Sequence, residues 1–203
     1  QGGNNNAYAQ DNEIGWVDWH APERSRALAR FVQRLIRLRQ SLPLLRRGTF
    51  LHGTFDEELG VKDVAWMTPS GTEFTDENWQ DPNARCFGVL LDGRAQSTGI
   101  RRPGTDATML LVMNAHDDVV NFKLPEAQGG LRWQRVFDTN LPDEFQFEPF
   151  DMGHDYMVTG RSFLMFLLEP DKSEDGQESA LRSFAYISEA LARAAGNPLP
   201  LSD

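Results

Sequence analysis

The side chains best equipped for chemistry crowd the opening stretch, QGGNNNAYAQDNEIGWVDW. Asn4, Asn5, Asn6 and Asn12 each offer two N–H donors and a carbonyl acceptor without adding charge. Tyr8, Trp16 and Trp19 add flat apolar faces with a polar handle, and Asp11 adds a strong acceptor. Two uses of such a set compete. The amides can cap their own turns while the tryptophans pack against a neighbouring layer. Alternatively, the amides, Tyr8 and Asp11 face a ligand. Other candidates are thinner. His116, Asp117 and Asp118 adjoin one another, but a metal site needs further ligands in fixed geometry, and a turn is the expected reading. His20, His52 and His154 stand isolated, as turn or surface residues. Cys86 begins an apolar run and reads as a buried, inert thiol. No phosphate-cradling glycine loop, GxSxG, CxxC or HExxH occurs, so no cofactor and no metal is expected.

Composition narrows the partners. A net charge of −10 opposes binding to a phosphate backbone or an anionic membrane surface, so neither nucleic acid nor membrane is expected. A neutral ligand fits. With 40% hydrophobic and 25% charged residues in 203, the chain can build an ordinary core in one large domain or two small ones. One cysteine cannot staple the chain, which excludes a disulfide scaffold and makes a reducing cytoplasm the simplest location. No apolar run approaches the roughly 18 residues of a membrane span, and no signal pattern opens the chain. The missing Met suggests a piece of a longer protein.

These residues need elements to position them. Residues 1–22 are rich in Gly, Asn and Asp and read as loop. Leu28, Phe31, Val32, Leu35 and Ile36 then form one helical stripe, with Pro22 and Glu23 suiting the start and Pro43 the stop. Arg24, Arg30, Arg34 and Arg37 lie opposite, as a solvated face rather than a basic docking patch. From residue 49 the texture is β, with strands expected at 49–52, 62–68, 85–91, 107–114, 119–124, 132–138, 145–148 and 162–168. Between strands, TDENWQDP can hold one helical turn capped by Thr75, with Asn78 short of a full capping box. Gly/Pro turns join most strands, which predicts a mainly β fold: an antiparallel two-sheet Greek-key β-sandwich preceded by a loop and one long amphipathic helix. Residues 170–179 read as a polar linker, and Leu181, Phe184, Ala185 and Leu191 as a short terminal helix.

Taken together, GNNNAYAQDNEIGWVDW, FVQRLIRLRQSLPLLRR, VAWMTPSGTEFTDENW, ARCFGVLL and LLVMNAH resemble the C-terminal end of bacterial glycogen debranching enzymes of the isoamylase type, in the α-amylase superfamily. The resemblance runs over roughly residues 1–168, with Ala9 and Gly15 where Cys and Ser are expected. It implies that residues 1–44 are the last loop and helix of a (β/α)8 barrel whose remainder is missing, 45–169 a C-terminal β-sandwich, and 170–203 a linker with a possible helix. The loop would then line a cleft at the C-terminal face of the barrel strands.

The loop's chemistry agrees with that placement. A glucan is neutral and covered in hydroxyls, which amides, Tyr8 and Asp11 suit. On this reading Asn4, Asn5, Asn6, Tyr8, Asp11 and Asn12 touch substrate, while Trp16 and Trp19 pack. The implied partner of the intact enzyme is an α-glucan: glycogen, limit dextrin or maltooligosaccharide. Retaining hydrolysis needs two carboxylates about 5 Å apart. In this family they lie upstream, so no catalytic residue is assigned. Asp11 and Glu13 cannot substitute, because a loop alone lacks the rigidity catalysis needs. The chain itself is therefore expected to be inactive. Two alternatives stay open. One is a carbohydrate-binding module using Trp66, Trp79 and Trp133, although core packing is the default for such residues. The other is an interaction domain that associates through Leu28, Phe31 and Leu35.

Overall fold

The computed structural model describes residues 4, 6, 8–20, 22–48, 50–95, 107–141, 147–171 and 178–196. Helix α1 (Glu23–Ser41) starts after an extended Pro22 and carries Glu23 in its first turn, where the helix dipole favours a carboxylate. It stops at an extended Leu42, held there by Pro43, which opens a single 3-10 turn (Pro43–Arg46). The strands are β1 (Phe55–Asp56), β2 (Val61–Lys62), β3 (Val64–Met67), β4 (Cys86–Asp92), β5 (Thr108–Asn114), β6 (Val120–Lys123), β7 (Gly130–Asp138), β8 (Glu148–Asp151), β9 (Asp155–Val158) and β10 (Ser162–Pro170). A short helix, α2 (Asp76–Gln80), links β3 to β4, and α3 (Glu178–Gly196) ends the described chain.

Every pairing is antiparallel. Six strands form one sheet in the order β3-β4-β5-β10-β7-β8, and β6 pairs with β9 in a second, smaller sheet. Strand β10 returns from the end of the fold to lie between β5 and β7, the kind of long return that Greek-key connections make. The fold is thus mainly β, with unequal antiparallel layers.

Side-chain alternation decides what covers each face of the large sheet. Even-numbered residues (Leu110 and Val112 of β5, Leu164 and Phe166 of β10) join Phe122 of β6 and Val158 of β9 in one cluster. The small sheet therefore caps that face. Gly88 permits the close approach, since a Cβ there would sit 2.8 Å from Phe122 Cζ. Odd-numbered residues (Val89, Leu91, Met109, Met165, Leu167) join Leu38, Leu42 and Leu44 with Ile187 and Leu191 of α3 in the other cluster. A β-bulge between Met165 and Phe166 leaves Val136 an extra residue, so Val136 and Phe137 both belong to this helix-side cluster.

Several expectations shift. The helical stripe divides: Leu35 packs against the core, where Leu38 and Leu42 from outside the stripe are buried, but Leu28, Val32 and Ile36 remain 63%, 43% and 52% exposed. The helix uses its C-terminal end to rest on the sheet beside α3. Residues 50–52 form no strand; the first ribbon is β1–β2. The strand expected at 145–148 falls at β8, with 145 and 146 outside the described residues. Strand β9 carries no strand signal in the sequence, because DYMV is short and half polar. Of the linker expected at 170–179, Pro170 instead closes β10 and 178–179 already belong to α3, with 172–177 outside the described residues; α3 runs 19 residues where a short helix is expected.

Two buried polar groups tie loops to this frame. Asp63, just before β3, accepts the His52 and Gly53 N–H groups at 3.0 and 2.8 Å and faces Arg47 at 3.8 Å. Asn114, the last residue of β5, donates through Nδ2 to the carbonyls of Asp118, Val158 and Thr159 at 3.0, 3.1 and 3.1 Å.

Candidate functional site

The opening loop is a chain of local turns. Asn4 Oδ1 accepts the Asn6 N–H, Asn6 Oδ1 accepts the Tyr8 N–H, and Asn12 Oδ1 accepts the Ile14 N–H, each at 3.1 Å. These are Asx turns, in which a short amide imitates a backbone carbonyl two residues ahead. Asn4 Nδ2 then reaches across to Ile14 O at 2.9 Å and closes the loop. Asn12 Nδ2 donates to Gln10 Oε1 at 2.9 Å, and Trp16 Nε1 donates to Asp11 Oδ1 at 2.8 Å. Ala9 adopts the left-handed region, at φ 57°. The structure thus brings Asn4 and Asn6 together, and Asp11 against Trp16. Asn5 lies outside the described residues.

The turn bonds hold the amides by their carbonyl oxygens, which fixes where each –NH2 group points. Tyr8 is 87% exposed, and its ring meets solvent. The expectation that Trp16 and Trp19 pack is not met within this chain, since they are 57% and 88% exposed. The loop sets the rings of Tyr8, Trp16 and Trp19 on the surface, while Asn4, Asn12 and Trp16 each commit one N–H inside it. That arrangement can bind hydroxyls. It holds no pair of rigidly supported carboxylates.

A second aromatic group lies on the sheet. Trp66 of β3 stands opposite Val89 of β4, on the helix-side face. The chain turns at Gly71, in the left-handed region at φ 79°, and comes back so that the Phe74 N–H donates to Trp66 O at 2.7 Å. Trp79 of α2 closes over both, with ring centroids 5.3 Å from Trp66 and 4.8 Å from Phe74. Helix α2 is only five residues long but has a complete capping box. Thr75 N–H donates to Asn78 Oδ1 at 2.9 Å, and Asn78 N–H to Thr75 Oγ1 at 3.4 Å. The box that the sequence pattern denies to Asn78 is thus complete, because Asn closes it where Glu or Gln usually does. Core packing holds for Trp133, fully buried with Nε1 donating to Pro125 O at 2.8 Å. It does not hold for Trp66 and Trp79, which are 37% and 53% exposed.

The remaining candidates are structural. His116 to Asp118 form a bend in which His116 Nδ1 accepts the Asp118 N–H at 3.1 Å. Among the described residues no group of three or more His, Cys, Asp or Glu could hold a metal ion. Burial pushes the Cys86 thiol up to about 11, so it is a poor nucleophile at neutral pH. A shallow cleft beneath the first turn of α3 includes Arg94, whose guanidinium is committed to Asp92 at 2.6 Å. Among the described residues no helix is long and apolar enough to cross a membrane.

Comparison with known proteins converges on one group. Residues 63–167 match the family described as "Isoamylase, C-terminal". The chain is 38% identical over 148 residues to a "Glycogen operon protein GlgX homolog" of Mycobacterium tuberculosis, covering 70% of this chain and 20% of that protein. It is 34% identical over 128 residues to a "Glycogen debranching enzyme" of Dickeya chrysanthemi, covering 63% and 16%. A "Glycogen debranching enzyme" of Salmonella typhi is 31% identical over 136 residues, covering 67% and 17%. The chain thus spans about a fifth of the length of the relatives it matches.

Proposed function

This chain belongs to the isoamylase C-terminal family, and from that premise we propose that it is the C-terminal part of a glycogen debranching glycosidase. The intact enzyme hydrolyses α-1,6 branch linkages in glycogen or limit dextrin with retention, using two carboxylates about 5 Å apart on its upstream portion. Residues 1–44 complete a (β/α)8 barrel there, 45–170 form the accessory sandwich, and helix α3 follows it. The cytoplasm, where glycogen is stored, is its place of work.

The observation that carries this reading is the match of 63–167 to the family, together with relatives named for glycogen debranching. The loop supports its finer part. Asn4, Asn5, Asn6, Tyr8, Asp11 and Asn12 line the substrate cleft in this proposal, with amide donors meeting vicinal hydroxyls and Tyr8 meeting a sugar face. The exposure of Tyr8, Trp16 and Trp19 suits a loop that works against another part of a longer polypeptide. The exposed row Leu28, Val32 and Ile36 suits the same partner, an apolar barrel face.

The test uses the product of the whole reading frame that contains these residues. Tyr8→Ala and Asn6→Ala each lower kcat/KM on a phosphorylase limit dextrin by roughly tenfold, the effect of about 1.4 kcal/mol of lost binding in the transition state. Unchanged kcat/KM in both variants removes the loop from the cleft.

A further inference from the structure

We propose that Trp79, backed by Trp66 and Phe74, is a surface site for an α-glucan chain, a second contact made by residues other than those of the loop. The inference rests on the glucan reading above. Its own ground is the contrast among the tryptophans. Trp133 is a core residue in every respect, wholly buried with its N–H satisfied. Trp79 keeps 53% and Trp66 37% of their surface in solvent. Two large rings left open beside each other cost solvation that a core arrangement avoids.

The group is rigid. Trp79 sits on a short helix locked by its capping box and is wedged against Trp66 and Phe74, while Phe87 supports Trp66 from behind at 5.7 Å. Rings held in place before binding lose little freedom on binding. The two indole planes stand 74° apart. Coplanar rings suit a flat, extended polysaccharide; crossed rings suit a chain that curls, as α-linked glucans do. The contact is edge-to-face, which spends one ring face on the other ring, so the exposed part of Trp79 takes the C–H side of a sugar.

The surroundings suit a neutral, hydroxylated ligand. The hydroxyls of Thr68, Ser70 and Thr72 form a linked trio at 2.8, 2.9 and 3.2 Å on the turn between Trp66 and Phe74, a turn that rests on Lys123 of β6. Ser70 and Thr72 are exposed, and hydroxyls both donate and accept. Lys62 and Glu73 cancel one another at 2.6 Å. Asp76 and Glu77 in the first turn of α2 accept from hydroxyls and repel anions.

Affinity electrophoresis of the 203-residue chain in native gels with and without glycogen tests the site. Glycogen retards the parent chain. Trp79→Ala weakens that retardation at least fivefold, Trp79→Phe gives an intermediate value, and Phe50→Ala, at an unrelated exposed ring, changes nothing. Thermal unfolding of the same samples reports folding, and Trp79→Phe keeps the comparison valid if the alanine variant is unstable. The proposal is overturned if the parent is not retarded, if Trp79→Ala and Trp79→Phe run as the parent does, or if hydroxyethylcellulose retards the parent equally. Loss of retardation in Tyr8→Ala alone overturns this site and leaves the debranching reading standing. Loss in Trp79→Ala, with no debranching activity from the whole reading frame, leaves this site standing and removes the other.

Discussion

Asn114→Ala gives the sharpest test of how the two layers are joined. Asn114 is 2% exposed and ends the central strand β5. Its two N–H groups serve three carbonyls, those of Asp118, Val158 and Thr159, and its Oδ1 accepts the His116 N–H at 3.0 Å. Val158 is buried within β9, so its carbonyl loses a partner that water replaces poorly. That group costs about 1–3 kcal/mol when left unpaired, and each partly exposed bond about 0.5–1 kcal/mol. The total is roughly 4 kcal/mol, or about 10 °C in Tm for a chain of this size. Urea unfolding followed by tryptophan fluorescence measures it directly. The near-isosteric Asn114→Asp is at least as damaging at pH 7, because it aims a carboxylate at three carbonyls. A loss under about 0.5 kcal/mol for Asn114→Ala, or an Asp variant as stable as the parent at pH 7, refutes the reasoning.

Asp63 gives a pH signature. Burial works to raise its pKa, but the N–H groups of His52 and Gly53, the Arg47 charge and the Val64 N–H together hold it below the usual carboxylate range. A depressed folded pKa contributes stability above the unfolded value of about 4 that is lost as pH falls through the folded value. Asp63→Asn therefore destabilises at pH 7 by about 1–3 kcal/mol, and its deficit shrinks as urea midpoints are followed from pH 5 to pH 2; a constant deficit contradicts this. Gly88→Ala places a methyl 2.8 Å from Phe122 Cζ and 3.1 Å from Leu110 Cδ1. It costs about 1–3 kcal/mol by overpacking, and Phe122→Leu in the same chain recovers part of that in a double-mutant cycle; additive losses contradict direct contact.

How much the sequence disclosed follows from which forces are local. Strands β4, β5 and β10 are apolar runs closed by turn residues, β7 alternates apolar with polar residues, and all four fall within about two residues of where the pattern places them. The small sheet was half visible. Strand β6 alternates, but β9 acquires its strand character from pairing with β6 and from Val158 in the core, which are long-range facts. The orientation of α1 was hidden for a similar reason. Periodicity fixes a stripe, whereas the neighbouring α3 and the end of the sheet decide which side of that stripe is covered.

The loop's residue types were legible, and so was their ambiguity. The amides of Asn4, Asn6 and Asn12 do close local turns, which orients them and leaves their use for a ligand as a proposal. Trp66, Trp79 and Trp133 look alike in sequence. Only the register opposite Val89, the turn at Gly71 and the capped α2 separate two exposed rings from one buried ring.

The central claim is that these residues serve a debranching glycosidase and cannot catalyse without the upstream portion. Reducing-end release from a phosphorylase limit dextrin, measured side by side for the 203-residue chain and for the product of its whole reading frame, tests it most directly. The account predicts no release above buffer from the chain and steady release from the longer product. Release by the chain alone that Asp11→Asn abolishes, or none from a folded longer product, contradicts it.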